Sequence, residues 1–115
     1  MSQEKVYRTL ASFGLTRTDA KVYIYLAKEG PQKGKDLRNA LNMQKQQLYP
    51  CLKNLQSRGV VTTTCKRPVL FSALPFEKVL DLFIKASIEE AEHLMQNKEE
   101  LLSAWRVMEP KNLGT

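Results

Sequence analysis

The sequence predicts a mainly α-helical chain with one small β-hairpin and a long C-terminal helix. Apolar residues recur at helical spacing through most of its 115 residues. The pattern becomes that of extended chain only after Gly59, and the stretch between Pro75 and Pro110 contains neither Gly nor Pro. This length suits one compact domain with a single appended element rather than a multidomain enzyme.

The first two predicted helices lie at the N-terminal end. Helix 1 covers residues 2–13, because an apolar stripe is followed there by a glycine: Val6, Leu10, Phe13 and Gly14. Thr16 is a suitable N-cap for helix 2, with Asp19 as the acidic member of a loose capping box. Helix 2 is expected to end near Lys28, before Gly30-Pro31. Its expected inward face comprises Ala20, Tyr23, Ile24, Leu26 and Ala27.

Two short helices joined by a tight turn follow, which is the pattern of a helix-turn-helix. The first covers residues 34–41 and the second covers residues 44–58, with Asn42-Met43 as the turn. Pro50 removes a backbone donor inside the second helix, so that helix either begins late, near Gln47, or is kinked. The expected buried positions are Leu37, Ala40, Leu41, Leu48, Cys51, Leu52 and Leu55.

A β-hairpin is predicted directly after this pair. Residues 60–65 are rich in β-branched side chains, and residues 69–74 supply a returning strand. The turn between them, Lys66-Arg67-Pro68, is basic. A helix-turn-helix followed at once by a hairpin has the element order of a winged helix. We therefore expect residues 1–74 to form a winged helix-turn-helix DNA-binding domain.

The last predicted element is one helix over residues 75–108, about 50 Å long at 1.5 Å per residue, followed by a frayed tail at 109–115. Apolar residues recur along it at alternating spacings of four and three, as in the seam of a coiled coil. This seam, interrupted by Lys98, comprises Ile84, Ile88, Ala91, Met95, Leu102 and Trp105. We expect it to pair with a second copy in a homodimer. A competing stripe through Leu80, Leu94 and Leu101 leaves the register open, and the charges do not select parallel or antiparallel pairing.

Charge is divided unevenly along the chain, whose net charge is +6. Residues 1–74 carry 13 Lys and Arg against 4 Asp and Glu, whereas residues 75–115 carry 5 against 8. A cationic unit of this kind suits a polyanion, and double-stranded DNA is the simplest such partner. The alternative is a solvated basic face without a partner.

The outward face of the second helix of the pair is expected to enter the major groove, where Gln can bond adenine and Lys can bond guanine. The base-reading candidates are Lys45, Gln46, Gln47, Tyr49 and Lys53. Cations on the other elements are expected to contact the DNA backbone or, for the wing, a minor groove. These candidates are Lys33, Lys35, Arg38, Lys66 and Arg67.

The sequence predicts no catalytic residue, no metal site and no cofactor. His93 is the only histidine and is expected at the surface, while Cys51 and Cys65 form no CxxC pair and are expected to be reduced, buried or half-buried thiols. No Gly-rich phosphate loop is present. No stretch reaches the roughly 18 apolar residues of a membrane span and no signal-peptide pattern occurs, so we expect a cytoplasmic protein without a membrane partner. The pattern does not indicate whether a small-molecule effector binds.

Several short motifs occur in order over about residues 1–80. They are Gly14-Leu15-Thr16, Asp19-Ala20-Lys21-Val22-Tyr23, Gly30-Pro31, Leu48-Tyr49, Leu52, Leu55, Gly59-Val60-Val61, Arg67-Pro68, Phe71 and Ala73-Leu74-Pro75. In this combination the chain resembles the DNA-binding domain of the TrmB-like family of archaeal transcriptional regulators. The resemblance implies a winged helix in which residues 45–58 read DNA, with Lys66 and Arg67 in the wing. Larger members carry a C-terminal sugar-binding domain, and we do not extend sugar sensing to this chain.

These patterns together predict a sequence-specific, double-stranded DNA-binding transcriptional regulator that acts as a homodimer. The alternative from another class is a winged-helix docking module of the transcription machinery, with the long helix binding a different chain. Retention on heparin and salt-dependent binding to random duplex DNA separate the two, because a docking module need show neither.

Overall fold

The computed structural model describes residues 2–64 and 66–109. The elements along this part of the chain are α1 (Ser2–Ser12), α2 (Arg17–Glu29), α3 (Gly34–Leu41), α4 (Lys45–Ser57), β1 (Val61–Thr63), β2 (Phe71–Ala73) and α5 (Phe76–Met108). This order confirms the predicted fold class, a mainly helical chain with a hairpin and a long C-terminal helix. The chain divides into two compact units: the first ends at Leu80 and the second begins at Asp81.

Capping interactions place α1 and α2 as the sequence predicts. The Thr16 hydroxyl accepts a hydrogen bond from the Asp19 N–H, and the Asp19 carboxylate accepts one from the Thr16 N–H, both at 3.0 Å. This reciprocal pair is the predicted capping box. Gly14, at φ 91°, makes the turn between the two helices, and Gly30, at φ 86°, ends α2. A positive φ favours glycine at both places.

The core of the first unit lies between α1, α2, α4 and the hairpin. Its largest fully buried side chains are Tyr23, Leu10, Leu26, Leu37, Leu48, Leu52, Leu55, Val22, Val60, Val61 and Val79. The four positions predicted to be buried on α4 are all buried.

Two predicted core positions are wrong, because Ala27 and Ala40 are exposed. Val22, which was not expected on the inward face of α2, is fully buried instead. The reason is that α2 contacts α1, α4 and β2, so its buried surface is not one narrow stripe. An alanine contributes little apolar area, and larger neighbours therefore decide which side of a helix turns inward.

The hairpin is antiparallel, with Val61 opposite Ala73 and Thr63 opposite Phe71. Its strands are shorter than the predicted segments, and Cys65 lies outside the described residues. Gln32, between α2 and α3, adds a bridge on the other side of β2. The Gln32 N–H donates to the Phe71 carbonyl at 3.0 Å, and the Phe71 N–H donates back to the Gln32 carbonyl at 2.8 Å. The hairpin is thus tied to the helical part of the unit.

The long helix is present over its predicted length, as one element of 33 residues. The Pro75 carbonyl accepts hydrogen bonds from the N–H groups of Lys78 and Val79, so Pro75 precedes the helix rather than beginning it. The predicted tail begins at Glu109, and residues 110–115 lie outside the described residues. Among the described helices, none combines the length and apolar character that a membrane span requires.

The predicted seam on α5 is exposed in the single chain. Ile84 is 57% exposed, Ile88 54%, Met95 71% and Trp105 58%. Ala91 and Leu102 are exposed as well, and so are Leu94 and Leu101 of the competing stripe. The part of α5 in the second unit thus carries an exposed apolar stripe that is interrupted at Lys98.

Candidate DNA-binding surface

The helix-turn-helix consists of α3, a tight turn and α4. Asn42 adopts a left-handed conformation at φ 53°, which asparagine tolerates better than most residues. The Met43 N–H donates to the Arg38 carbonyl at 2.9 Å and closes α3. At the opposite end of α3, a Cβ on Gly34 would collide with the Tyr49 hydroxyl. The two helices therefore approach each other closely at this glycine.

Helix α4 has one buried face and one solvent face. Its exposed stripe lies opposite the four core residues, at spacings of four, three and four: Gln46, Pro50, Lys53 and Ser57. All four are exposed. The helix begins at Lys45 and contains Pro50 in its interior, so the predicted alternative of a late start near Gln47 is wrong. The proline nitrogen cannot donate to the Gln46 carbonyl, and the helix tolerates this because Pro50 faces solvent.

Two of the five base-reading candidates have partners within the chain. The Gln47 side-chain oxygen accepts a hydrogen bond from the Gln44 N–H at 3.0 Å and caps α4. The Tyr49 hydroxyl lies against Gly34, although 42% of the residue is exposed. The other three candidates, Lys45, Gln46 and Lys53, are exposed.

A polar network holds α4 against α2. Asp19 is only 4% exposed, and its carboxylate accepts a hydrogen bond from the Asn54 side-chain amide at 2.7 Å. Arg58 Nε donates to the Asn54 side-chain oxygen at 3.2 Å, and its Nη1 donates to the Phe13 carbonyl at 2.8 Å. Sequence reasoning identified Asp19 as a cap and did not single out Asn54 or Arg58. The available signal was a polar Asn54 beside the apolar stripe, with Arg58 four residues later.

Cys51 lies next to this network and is a buried, free thiol, as predicted. Its burial, together with a hydrogen bond to Asp19 and the charge of that carboxylate, raises the pKa of the thiol from 9.0 to about 12. Burial also raises the pKa of Tyr23 to about 12. Both groups are therefore neutral at physiological pH.

We expect Cys51 to resist alkylation by iodoacetamide at pH 8 in the folded protein and to react in urea, because only the thiolate is nucleophilic. Peptide mass spectrometry separates its label from that of Cys65. The unfolded thiol loses its proton above about pH 9 and the folded thiol near 12. The folded state thus holds the extra proton, and the free energy of unfolding should fall as pH rises through this window. Equal alkylation rates with and without urea would contradict the buried position.

The cationic candidates on α3 differ in their surroundings. Lys33 is the exposed N-cap residue of α3, and Lys35 is exposed in its first turn. Arg38 is half-buried, and its Nε atom is enclosed without a hydrogen-bond partner among the described residues. Lys33 and Lys35 are therefore the more accessible pair.

The wing turn is shaped by Thr64, which sequence reasoning did not single out. The Thr64 hydroxyl accepts from the Leu70 N–H at 3.0 Å and lies 3.1 and 3.3 Å from the carbonyls of Lys66 and Pro68. The peptide bond between Arg67 and Pro68 is cis. Both basic residues of the turn are exposed. A hydroxyl residue near the end of the predicted strand, just before the basic turn, was the only sequence signal for this role.

His93 is exposed on α5, as predicted. Over residues 2–64 and 66–109, no cluster of three or more His, Cys, Asp and Glu side chains is arranged to hold a metal ion.

Comparison with known proteins identifies the family of this unit. Residues 10–77 match the family of the sugar-specific transcriptional regulator TrmB. Over 101 residues the chain is 29% identical to the HTH-type sugar sensing transcriptional regulator TrmBL1 of Pyrococcus furiosus. That match covers 88% of this chain and 30% of the relative, so the chain spans less than a third of that protein's length.

Two solved structures share the fold over most of their length. The transcriptional regulator Tm0710 from Thermotoga maritima is 20% identical with a TM-score of 0.58, and the match covers 95% of this chain and 89% of that one. NadR in complex with 4-hydroxyphenylacetate is 18% identical with a TM-score of 0.52, with coverage of 93% and 88%. At these identities the likeness shows the fold alone. The family match extends over more than half of the sequence, and the chain therefore belongs to the TrmB family of transcriptional regulators, DNA-binding winged-helix proteins rather than enzymes.

Proposed function

We propose that this regulator binds specific double-stranded DNA sites as a homodimer, with α4 in the major groove. The observation that carries the proposal is the division of α4 into a buried apolar face and an exposed stripe. A helix held this way presents side chains to a groove about 12 Å wide without exposing its core residues. The proposed division of labour is DNA binding by residues 1–74 and dimerisation by residues 75–108.

Within α4, Gln46 and Lys53 are the proposed base readers, because both lie on the solvent stripe. Lys45, at the helix start, is placed to contact a base or a phosphate. The side-chain oxygen of Gln47 accepts a hydrogen bond from the Gln44 N–H, and this bond limits the directions in which the amide can pair with adenine. We assign Gln47 and Tyr49 chiefly to shaping the start of α4, although both were base-reading candidates in the sequence.

The DNA backbone is the proposed partner of the cations outside α4. Lys33 and Lys35 are exposed around the start of α3, and Lys66 and Arg67 are exposed at the wing turn. Lysine and arginine at such positions contact phosphates and fix orientation without reading sequence. Arg38 is assigned to the same surface in a supporting position, since half of it is enclosed.

We propose that a second copy of the chain packs against the α5 seam. Side chains such as Ile88 and Met95, both more than half exposed, recur at coiled-coil spacing, and pairing would bury them from both sides. A dimer would also present two α4 helices, as expected for a regulator that reads two half-sites.

The test measures binding to a preferred duplex, selected from a random library, and to random duplex DNA at two salt concentrations. Arg67→Ala is expected to weaken both equally and to lower the salt slope by about one unit. Gln46→Ala is expected to cost about 1 to 3 kcal/mol on the preferred site and far less on random DNA.

Lys21→Ala is the matched control, because Lys21 is an exposed lysine of α2 outside the proposed surface. It should leave both affinities nearly unchanged. If the wing substitution altered sequence preference while the α4 substitution weakened both duplexes equally, the wing would be the reader. If the protein showed no salt-dependent DNA binding, the alternative role as a docking module would replace this proposal.

A further inference from the structure

A cavity of about 310 Å³ lies in the first unit, between α1, α2 and the first residue of α5. Its walls include Val6 and Tyr7 of α1, Tyr23 and Ile24 of α2, and Phe76. This volume lies at the lower end of the range of small-molecule sites. Three aromatic rings around a space of this size favour a planar aromatic guest over a flexible polar one.

The walls of this cavity are held in place by the chain itself. The Arg17 guanidinium lies 4.1 Å from the centre of the Tyr7 ring and pairs with Glu4 at 3.3 Å. The Tyr23 hydroxyl donates a hydrogen bond to the Leu74 carbonyl at 2.5 Å. A guest would therefore meet rings that are already positioned, which lowers the entropic cost of binding.

The charge at the rim of the cavity is positive. Lys28 is exposed and lines the cavity, and none of the residues that line it in the described chain is acidic. An ammonium group beside an apolar space lined by aromatic rings is complementary to a ligand that carries a carboxylate on a flat apolar ring. We infer that this cavity binds a small planar aromatic carboxylate, with its ring between the aromatic walls and its carboxylate at Lys28.

The cavity is also linked to the wing. Tyr23 forms part of its wall, and its hydroxyl bonds the carbonyl of Leu74, directly after β2. β2 pairs with β1, and the turn between them carries Lys66 and Arg67. A guest that packs on the Tyr23 ring would stabilise this hydrogen bond and with it the end of β2, so the occupied protein should differ in DNA affinity. This regulatory part rests on the proposed DNA binding, whereas the binding site itself does not.

The experiment titrates 2-naphthoate and its uncharged analogue naphthalene-2-carboxamide into the intact protein by isothermal calorimetry. We expect saturable 2-naphthoate binding, weakened about ten-fold by Lys28→Gln with no change for the carboxamide. Ala27→Trp, which places an indole in the cavity from its exposed rim, should abolish binding of both compounds. The matched controls Lys21→Gln and Ala40→Trp, both at exposed positions outside the cavity, should bind as the wild type does. Thermal unfolding of each variant checks its folding.

Three outcomes would overturn the site: no saturable binding to the wild type, binding that survives Ala27→Trp, or a fall in molecular mass on Ala27→Trp in light scattering. The last would mean that a second copy covers the cavity. In a second arm, saturating 2-naphthoate should change the affinity of the wild type for duplex DNA by about five-fold or more, and not that of Ala27→Trp. Unchanged DNA affinity would overturn the link to the wing. A protein that bound 2-naphthoate but no DNA would leave the site standing and refute the proposed function.

Discussion

Replacement of Asp19 by alanine is expected to lower the free energy of unfolding by about 3 kcal/mol. The carboxylate caps α2 through the Thr16 N–H and accepts the Asn54 amide from α4. Its loss removes a helix cap and leaves a half-buried amide donor without its acceptor, and each effect costs of the order of 1 to 2 kcal/mol. Urea denaturation at pH 7, followed by circular dichroism, measures the change.

Asp36→Ala is the matched control for this experiment. Asp36 is an aspartate in the first turn of α3, but it is exposed. Its replacement should cost less than about 1 kcal/mol, as usual for an exposed charge near a helix start. A double-mutant cycle with Asn54→Ala should show that the Asp19 and Asn54 effects are not additive. Equal losses for Asp19→Ala and Asp36→Ala would contradict the role assigned to the network.

The double substitution Ile88→Glu with Met95→Glu is expected to convert a dimer of about twice 13.2 kDa into a monomer. Both positions lie on the exposed seam of α5, and in a paired seam the added carboxylates would be buried without partners. Affinity for a two-half-site duplex should then fall at least about 100-fold, because the two winged units no longer bind as one linked pair. Light scattering and DNA titration measure the two effects.

The control places the same charges on the opposite side of the helix. Ala86→Glu with His93→Glu has the same spacing of seven, at exposed positions away from the seam. It should leave the dimer intact. If the seam variant remains dimeric and Leu94→Glu with Leu101→Glu becomes monomeric, the competing stripe is the interface. A wild-type protein that is monomeric at tens of micromolar would contradict dimerisation altogether.

Local signals were sufficient for the element order. The capping box at Thr16 and Asp19, the turn at Asn42 and the uninterrupted stretch that forms α5 all depend on residues close together in sequence. The buried stripe of α4 was predicted correctly for the same reason. Bulky apolar residues at helical spacing determine which side of the helix packs into the core. The exposed Ala27 and Ala40 show the limit of this argument, since a small side chain gives a weak orientation signal.

The role of a polar side chain was decided by segments distant in sequence. Asp19 accepts a hydrogen bond from Asn54, 35 positions away in the sequence, and Tyr23 donates one to the Leu74 carbonyl, 51 positions away. Tyr49 sits against Gly34, so its position on the outward side of α4 did not predict the contact of its hydroxyl.

The sequence by itself determined the helices, the hairpin, the apolar seam and the cationic character of the first unit, because these follow from periodicity, capping and composition. Only the tertiary structure decided which of the polar residues form hydrogen bonds within the chain. Gln47, Asn54, Arg58 and Thr64 each form hydrogen bonds within the chain that hold α4 or the wing turn. The periodicity of the sequence does not show whether a polar side chain faces solvent or forms a hydrogen bond with another part of the chain. The role of such a side chain depends on the direction in which another element approaches, and that direction is set by packing of the whole unit.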